Sequence, residues 1–283
     1  MKIARIDNAG TTEYAVAGTG GGWIPLGQQG ISPRSSADLV DCLDQIKQVL
    51  AGSTSADEIK PTRFLSPIVN PLQSLAIGRN YRLHAKETGS SIPEQPMMFT
   101  KLAGSFTGAV DDVTVNPALT SKLDYEVELV VLIGKEASRV KRENALQYVA
   151  GYLVGNDISA RDCQKRDVQF DFAKGMSGFG PIGPWITTAD EVPDAQNLTL
   201  SSSVNGEVRQ SSNTSQMIFD VPFLIEYLSA GVTLHPGDVI WTGTPHGVAA
   251  GMGSDDAFLK SGDQVSCEIQ QLGELNNRIH HIV

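Results

Sequence analysis

From Leu123 to Gly134 the chain reads Leu-Asp-Tyr-Glu-Val-Glu-Leu-Val-Val-Leu-Ile-Gly, an apolar run with two glutamates one residue apart. Its β-branched and aromatic content, closed by glycine, predicts a strand. Residues i and i+2 of a strand share a face. Glu126 and Glu128 therefore point the same way, and Val130 and Leu132 continue that face. Val127, Leu129, Val131 and Ile133 make the other. A strand apolar on both faces belongs inside a sheet covered on both sides. Two like charges buried there cost several kcal/mol per ion unless something opposes them. A divalent cation is the simplest opposing charge. The alternative is an edge strand with one solvated face, and Val130 and Leu132 count against it.

A third carboxylate follows closely. Val149 to Val154 is an apolar strand running into Asn156-Asp157, and a helix is expected from Ala160 to Val168. Asp157 at the strand end can join Glu126 and Glu128 around one ion, or serve only as a helix cap. Three carboxylates with waters suit a hard cation, Mg²⁺ or Mn²⁺. A second constellation lies in Gly78-Arg79-Asn80-Tyr81-Arg82-Leu83-His84-Ala85-Lys86-Glu87-Thr88-Gly89. A short helix over Tyr81 to Thr88, stopped by Gly89, puts His84 and Glu87 at i and i+3 on one face. A carboxylate beside a histidine favours the imidazolium that forms when the ring takes a proton from water. The competing reading is an incidental pair on a solvated helix. The short, Gly-bounded segment suits a mobile lid.

Further side chains suit an anionic substrate. Arg161 and Gln164 lie about a turn apart on the helix after Asp157, Lys174 lies in a Gly-rich loop, and Lys101 follows the strand Met97 to Thr100. Thr244 sits in the turn Thr242-Gly243-Thr244-Pro245, whose N–H groups and hydroxyl suit a carboxylate. Each also has a plain reading as a solvated or turn residue. Other patterns fail: Gly18 to Trp23 lacks a glycine where Trp23 stands and has no βαβ setting. Gly175 to Phe179 lacks the closing glycine of a nucleophile elbow. His235, His280 and His281 have no zinc-type spacing.

The 283 residues suffice for one large domain, or a small one plus a large one. A formal charge of −10, with no basic stripe, argues against nucleic acid as a partner. No apolar run approaches the roughly 18–20 residues that span a bilayer, and Met1 to Ile6 reads as a first strand, not a signal peptide. Cys42, Cys163 and Cys267, an odd number without metal spacing, point to a reducing, cytoplasmic setting. Residues 1–66 read as a small α+β unit: short strands, then a helix over Ala37 to Leu50 opened by Ser35 and Asp38. Residues 67–283 carry short strands separated by Gly, Pro and Asp turns, with a hairpin at Val204-Asn205-Gly206 and few helices. One helix opens at Asp220 with Pro222 in its first turn. Strands without regular β–α alternation indicate a β-rich α+β fold.

The ordered motifs resemble the fumarylacetoacetate hydrolase family over about residues 68–283. They are Gly78-Arg79-Asn80-Tyr81 with His84 and Glu87, Phe99-Thr100-Lys101, Asp124-Tyr125-Glu126-Val127-Glu128, and Asn156-Asp157 through Asp162 with Gln164. They continue with Phe179-Gly180-Pro181-Ile182-Gly183-Pro184-Trp185, Pro236-Gly237-Asp238 and Thr242-Gly243-Thr244-Pro245. The chain departs from the pattern in two places: Thr100 and Leu102 stand where many relatives have an apolar residue and proline, and Ala173 precedes Lys174.

The resemblance implies a mixed β-sandwich roll with a small N-terminal α+β domain, in a homodimer. It implies one Mg²⁺ or Mn²⁺ per subunit on Glu126, Glu128 and Asp157. His84 and Glu87 would sit on a lid, Lys174 at the reacting centre, and Tyr81, Lys101, Arg161, Gln164 and Thr244 at the substrate. The implied activity is hydrolysis of a C–C bond in a small 2,4-dioxo acid, an acylpyruvate or diketo-deoxy sugar acid, with release of pyruvate. Enolate chemistry on the same platform would also serve an oxaloacetate decarboxylase, a 2-oxo-enoate hydratase or a tautomerase. A non-catalytic metal and ligand binder is the third class.

Overall fold

The computed structural model describes residues 1–282. Eleven strands form one large mixed sheet. Its main path runs Trp23–Pro25, Thr11–Ala17, Lys2–Asn8, Gly180–Thr188, Val149–Asn156, Val127–Ile133, Val239–Trp241, Ser74–Gly78, Met97–Thr100. A second sheet of five strands runs Glu207–Asn213, Thr199–Val204, Gln264–Ile269, Gly273–His281, Val113–Val115. This is the β-rich α+β fold expected from the strand pattern.

The glutamate strand, Val127–Ile133, is central. It pairs antiparallel with Val149–Asn156 on one side and Val239–Trp241 on the other, and every residue in it is buried. An edge position with a solvated face is thereby excluded. Its odd residues, Val127 to Ile133, pack with Leu200, Val265 and Leu275 of the five-stranded sheet and with Leu224 and Leu228 of helix Val221–Gly231. Its even residues Val130 and Leu132 pack with Trp241, Leu153 and the apolar residues of the N-terminal segment. Burying such side chains contributes roughly 1.5–3 kcal/mol apiece.

The N-terminal 66 residues continue the large sheet. Lys2 and Ile3 pair with Thr187 and Ile186, and Ile3, Val16, Leu39 and Ile46 share a core with Ile182, Ile186 and Trp241. The composition boundary at residue 66 is thus crossed by a sheet and by a core. The helix expected from Ala37 to Leu50 is two: Ser36–Asp41 and Leu43–Gly52, parted at Cys42. Ser35 caps the first, its hydroxyl accepting the Asp38 N–H at 3.1 Å. Asp220 caps Val221–Gly231 through the Phe223 N–H at 2.8 Å.

Candidate functional site

Strand register builds the acidic cluster. Val127 pairs with Asn156, so Glu126 and Asp157, one residue beyond each, face one another. The Asp157 N–H donates to the Glu126 carbonyl at 2.9 Å, and the Glu126 N–H donates to the Asn156 side chain at 3.0 Å. Glu126 precedes the regular strand rather than opening it, but its side chain still meets that of Glu128. Carboxylate oxygens of Glu126, Glu128 and Asp157 lie within 4.8 Å of one another, all three residues buried. Glu128 stands opposite Gly155, where a Cβ would come within 2.4 Å of the Trp241 ring.

Three cations surround the cluster. The Lys174 ammonium, buried at the end of helix Asp171–Gly175, donates to Glu126 Oε2 at 2.7 Å, Asp157 Oδ2 at 2.6 Å and Ser159 Oγ at 2.6 Å. Lys101 donates to Asp157 Oδ1 at 2.7 Å and to the carbonyls of Lys174 and Phe179 at 2.5 and 2.8 Å. Arg161 reaches Glu126 Oε1 at 2.5 Å, Asp124 Oδ2 at 2.8 Å and Gln164 Oε1 at 3.0 Å. Burial would raise the Glu126 carboxyl, yet Lys174 and Arg161 outweigh it and hold it at about 2. Glu128 is pushed the other way. Burial, then Asp157 and Glu126, raise it well above the ordinary range, and its one cap is the Gly243 N–H at 2.9 Å.

This donor set fits a hard divalent ion. Four carboxylates, counting Asp124, face three fixed cations, and the deficit falls on Glu128. Each bonded oxygen keeps a second lone pair for an ion. The Tyr81 hydroxyl is buried without a protein partner, and Glu128 adds to the burial that raises it. A water completing an ion's shell would satisfy such an orphan.

His84 and Glu87 come together as their spacing predicts. They lie on helix Arg82–Glu87, with the ring Nδ1 2.9 Å from Glu87 Oε1. Gly89, at φ +68°, follows the helix end. His84, Lys174, Arg161, Gln164, Thr244 and the three acids all line one cavity of about 410 Å³.

Two expected substrate residues do something else. Lys101 is fully buried and spends all three ammonium hydrogens on Asp157 and two carbonyls, so none is left for substrate. Tyr81 stands at the residue before the His84 helix, its ring buried and making no side-chain bond to the helix end. Neither lines the cavity. Arg161 borders it, but its guanidinium braces Asp124, Glu126 and Gln164. The Thr244 hydroxyl donates to the Val127 carbonyl at 2.9 Å and accepts from Gln210 Nε2 at 2.8 Å. Thr100, one of the departures from the family pattern, ties its N–H and hydroxyl to Asp171 at the start of the Lys174 helix.

Three contributors escaped the sequence reading. Asp124 orients Arg161 while accepting the Ala249 and Ala250 N–H groups at 2.8 and 3.0 Å; its place two residues before Glu126 was the available signal. Ser159 holds Lys174. Gln210, from the other sheet, is fully buried and bonds Val127, Ser202, Thr244 and Pro245; nothing in the sequence marks it.

Residues 73–280 match the model of the fumarylacetoacetate (FAA) hydrolase C-terminal domain. The chain belongs to the fumarylacetoacetate hydrolase family. Oxaloacetate tautomerase YisK of Bacillus subtilis is 46% identical over 217 residues, covering 76% of this chain and 72% of that protein. The structure of fumarylacetoacetate hydrolase from Exiguobacterium antarcticum superposes with a TM-score of 0.85 at 33% identity, covering 100% of both chains. That of maleylpyruvate hydrolase from Sphingobium, in complex with manganese(II) and pyruvate, superposes with a TM-score of 0.82 at 28% identity, covering 99% of both. Family members of these kinds are enzymes of small acids, and the buried triad with the manganese complex of a relative points to a divalent metal here. No described helix is long and apolar enough to cross a membrane.

Proposed function

We propose that this chain is a divalent-metal-dependent enzyme that interconverts the keto and enol forms of a small 2-oxo acid of the oxaloacetate type. One observation carries the reading. A single carboxylate-braced imidazole, His84, shares a cavity with a buried triad of acids. The 46% identity to an oxaloacetate tautomerase supports the choice of reaction.

Glu126, Glu128 and Asp157 would hold Mg²⁺ or Mn²⁺, which when bound supplies Lewis-acid stabilisation of developing negative charge. The rest falls to side chains. Glu87 fixes the His84 proton on Nδ1 and leaves Nε2 with a lone pair. That nitrogen takes the proton from the carbon beside the 2-oxo group, while the electron pair of the broken C–H bond becomes the enol double bond. His84 then returns the proton to the 2-oxygen, so the sum is an isomerisation with no other reactant. The Gln164 amide would stabilise the oxygen as it becomes negative, and the Lys174 charge, whose hydrogens lie on Glu126, Asp157 and Ser159, would act on it from a distance.

C–C hydrolysis of a 2,4-dioxo acid is the second reading. It is favoured by the same His84–Glu87 pair, which can take a proton from water instead of carbon, and by the likeness to maleylpyruvate hydrolase. Water would add to the distal carbonyl and the C–C bond would break with its electron pair on the pyruvate side. A homodimer in the cytoplasm belongs to the same proposal. The test follows the enol absorbance of oxaloacetate with Mg²⁺ present, alongside pyruvate release from acylpyruvates. Enol loss without pyruvate release is expected. Pyruvate release from acylpyruvates, with oxaloacetate enol decaying at its uncatalysed rate, would replace the first reading by the second.

A further inference from the structure

Two cations at the mouth of the cavity have no part in the chemistry above. Arg79 and Lys165 line it, and both are exposed. Lys101, Lys174 and Arg161 are each tied to a carboxylate. Arg79 and Lys165, by contrast, form no ion pair with any described residue. In a chain of charge −10, two unpaired cations beside one opening make a local field that draws anions.

Their placement is built. Arg79 has φ +58°, a left-handed backbone in which a long side chain costs about 1 kcal/mol or more. Asn80 fastens the segment there. Its side chain donates to the Phe219 and Thr242 carbonyls at 2.9 and 2.8 Å and accepts the Phe219 N–H at 2.8 Å. Glycine would sit at position 79 with less strain, yet an arginine stands there and borders the site. Lys165 lies four residues after Arg161 on helix Arg161–Asp167, so the two share a face about one turn apart. Arg161 reaches down to Glu126, and Lys165 lies one turn further along at the mouth.

We propose that Arg79 and Lys165 form a subsite for a second carboxylate, at the end of the substrate remote from its 2-oxo acid head. The chain would then select 2-oxo dicarboxylic acids over monocarboxylic ones. This rests on the reading of the cavity as a 2-oxo acid site. It adds the residues that recognise the distal group, and the acidic triad cannot supply that recognition.

The test compares oxaloacetate with 2-oxobutanoate, of equal length but with a methyl group for the distal carboxylate. Binding to the Mg²⁺-loaded protein is measured by calorimetry for the wild type, Arg79→Gln, Lys165→Gln and the double variant. The wild type should prefer oxaloacetate by about tenfold per charge-assisted contact. The double variant should lose most of that preference and hold 2-oxobutanoate within about twofold of the wild type, while Arg79→Lys should recover part of it. Equal wild-type affinity for the two ligands, or equal weakening of both by the double variant, overturns the subsite and leaves the 2-oxo acid reading standing. Binding of neither ligand by the wild type overturns that reading, and the subsite with it. Both side chains are exposed, so unchanged melting temperatures should accompany the shifts.

Discussion

Glu87 binds His84 with one oxygen and the chain beyond the Thr244 turn with the other: Oε1 lies 2.9 Å from the ring Nδ1, and Oε2 accepts the Gly247 N–H at 2.9 Å. The carboxylate would hold the ring proton on Nδ1, and it ties the short helix to the Gly247 backbone. Replacing His84 by Gln should lower kcat by about 10²–10⁴-fold, the usual contribution of a general base. Calorimetric Mg²⁺ affinity should stay within about twofold, since the ring is not among the three acids proposed to hold the ion. Parallel loss of both would show that His84 belongs to the ion's shell and not to proton transfer.

Glu128 carries the charge that the surrounding cations leave uncovered. Its carboxyl is raised above the ordinary 4.5 by burial, then by Asp157 and Glu126. A raised acid binds a proton in the folded state that the unfolded chain has already released. The metal-free protein therefore loses stability as pH climbs from the ordinary value toward the folded one. Glu128→Gln removes that pH dependence. In EDTA, thermal melting of the wild type should fall relative to the variant as pH rises above the ordinary carboxylate range. Each kcal/mol corresponds to about 2–4 °C for a chain of this size. Added Mg²⁺ should raise the wild type and leave the variant unmoved. A constant difference across the pH range would mean that Glu128 is ionised without strain.

Gly243 couples backbone shape to the same carboxylate. It has φ +92°, and a Cβ there would meet the Ile77 carbonyl and Asn80 Cβ at 2.8 Å. Gly243→Ala should destabilise the fold by about 1–3 kcal/mol and weaken Mg²⁺ binding, because its N–H is the cap on Glu128. Gly206→Ala is the control. Its φ of +83° is just as left-handed, but nothing lies within 4 Å of the added methyl. It should cost stability alone, and a matching fall in metal affinity there would refute the coupling.

Gln210 closes a ring around the residue between the two glutamates. Its Oε1 accepts the Val127 N–H at 3.0 Å, its Nε2 donates to the Thr244 hydroxyl at 2.8 Å, and that hydroxyl returns to the Val127 carbonyl at 2.9 Å. Gln210→Leu leaves several buried polar groups without partners and should cost at least about 2 kcal/mol by chemical denaturation. Gln210→Glu keeps the acceptor and the volume but loses the donor. It should weaken Mg²⁺ binding more than it changes kcat at saturating metal. Wild-type metal affinity in Gln210→Glu would confine Gln210 to holding the two sheets together.

The triad was legible because strand alternation is a strict rule and because Asp157 ends a recognisable apolar run. The His84–Glu87 contact was legible for the same local reason, one turn of helix. Lys101 was not. A lysine at a strand end reads alike whether it faces solvent or turns inward, and here the inward choice depends on Asp157 and on two carbonyls more than 70 residues away. Gln210 depends likewise on a partner sheet whose approach no single segment encodes. The break at Cys42 escaped because one irregular residue barely disturbs a helical period.

The strand Lys2–Asn8 lies against Gly180–Thr188 from the middle of the chain. An uncovered strand edge is a template for other chains. The opening segment covers that edge at Ile186 and Thr187 and packs its own apolar residues against Ile182 and Ile186. Selection on these early residues would then act through solubility as much as through turnover. Relatives could exchange their first sixty-odd residues only where the replacement supplies an equally good shield.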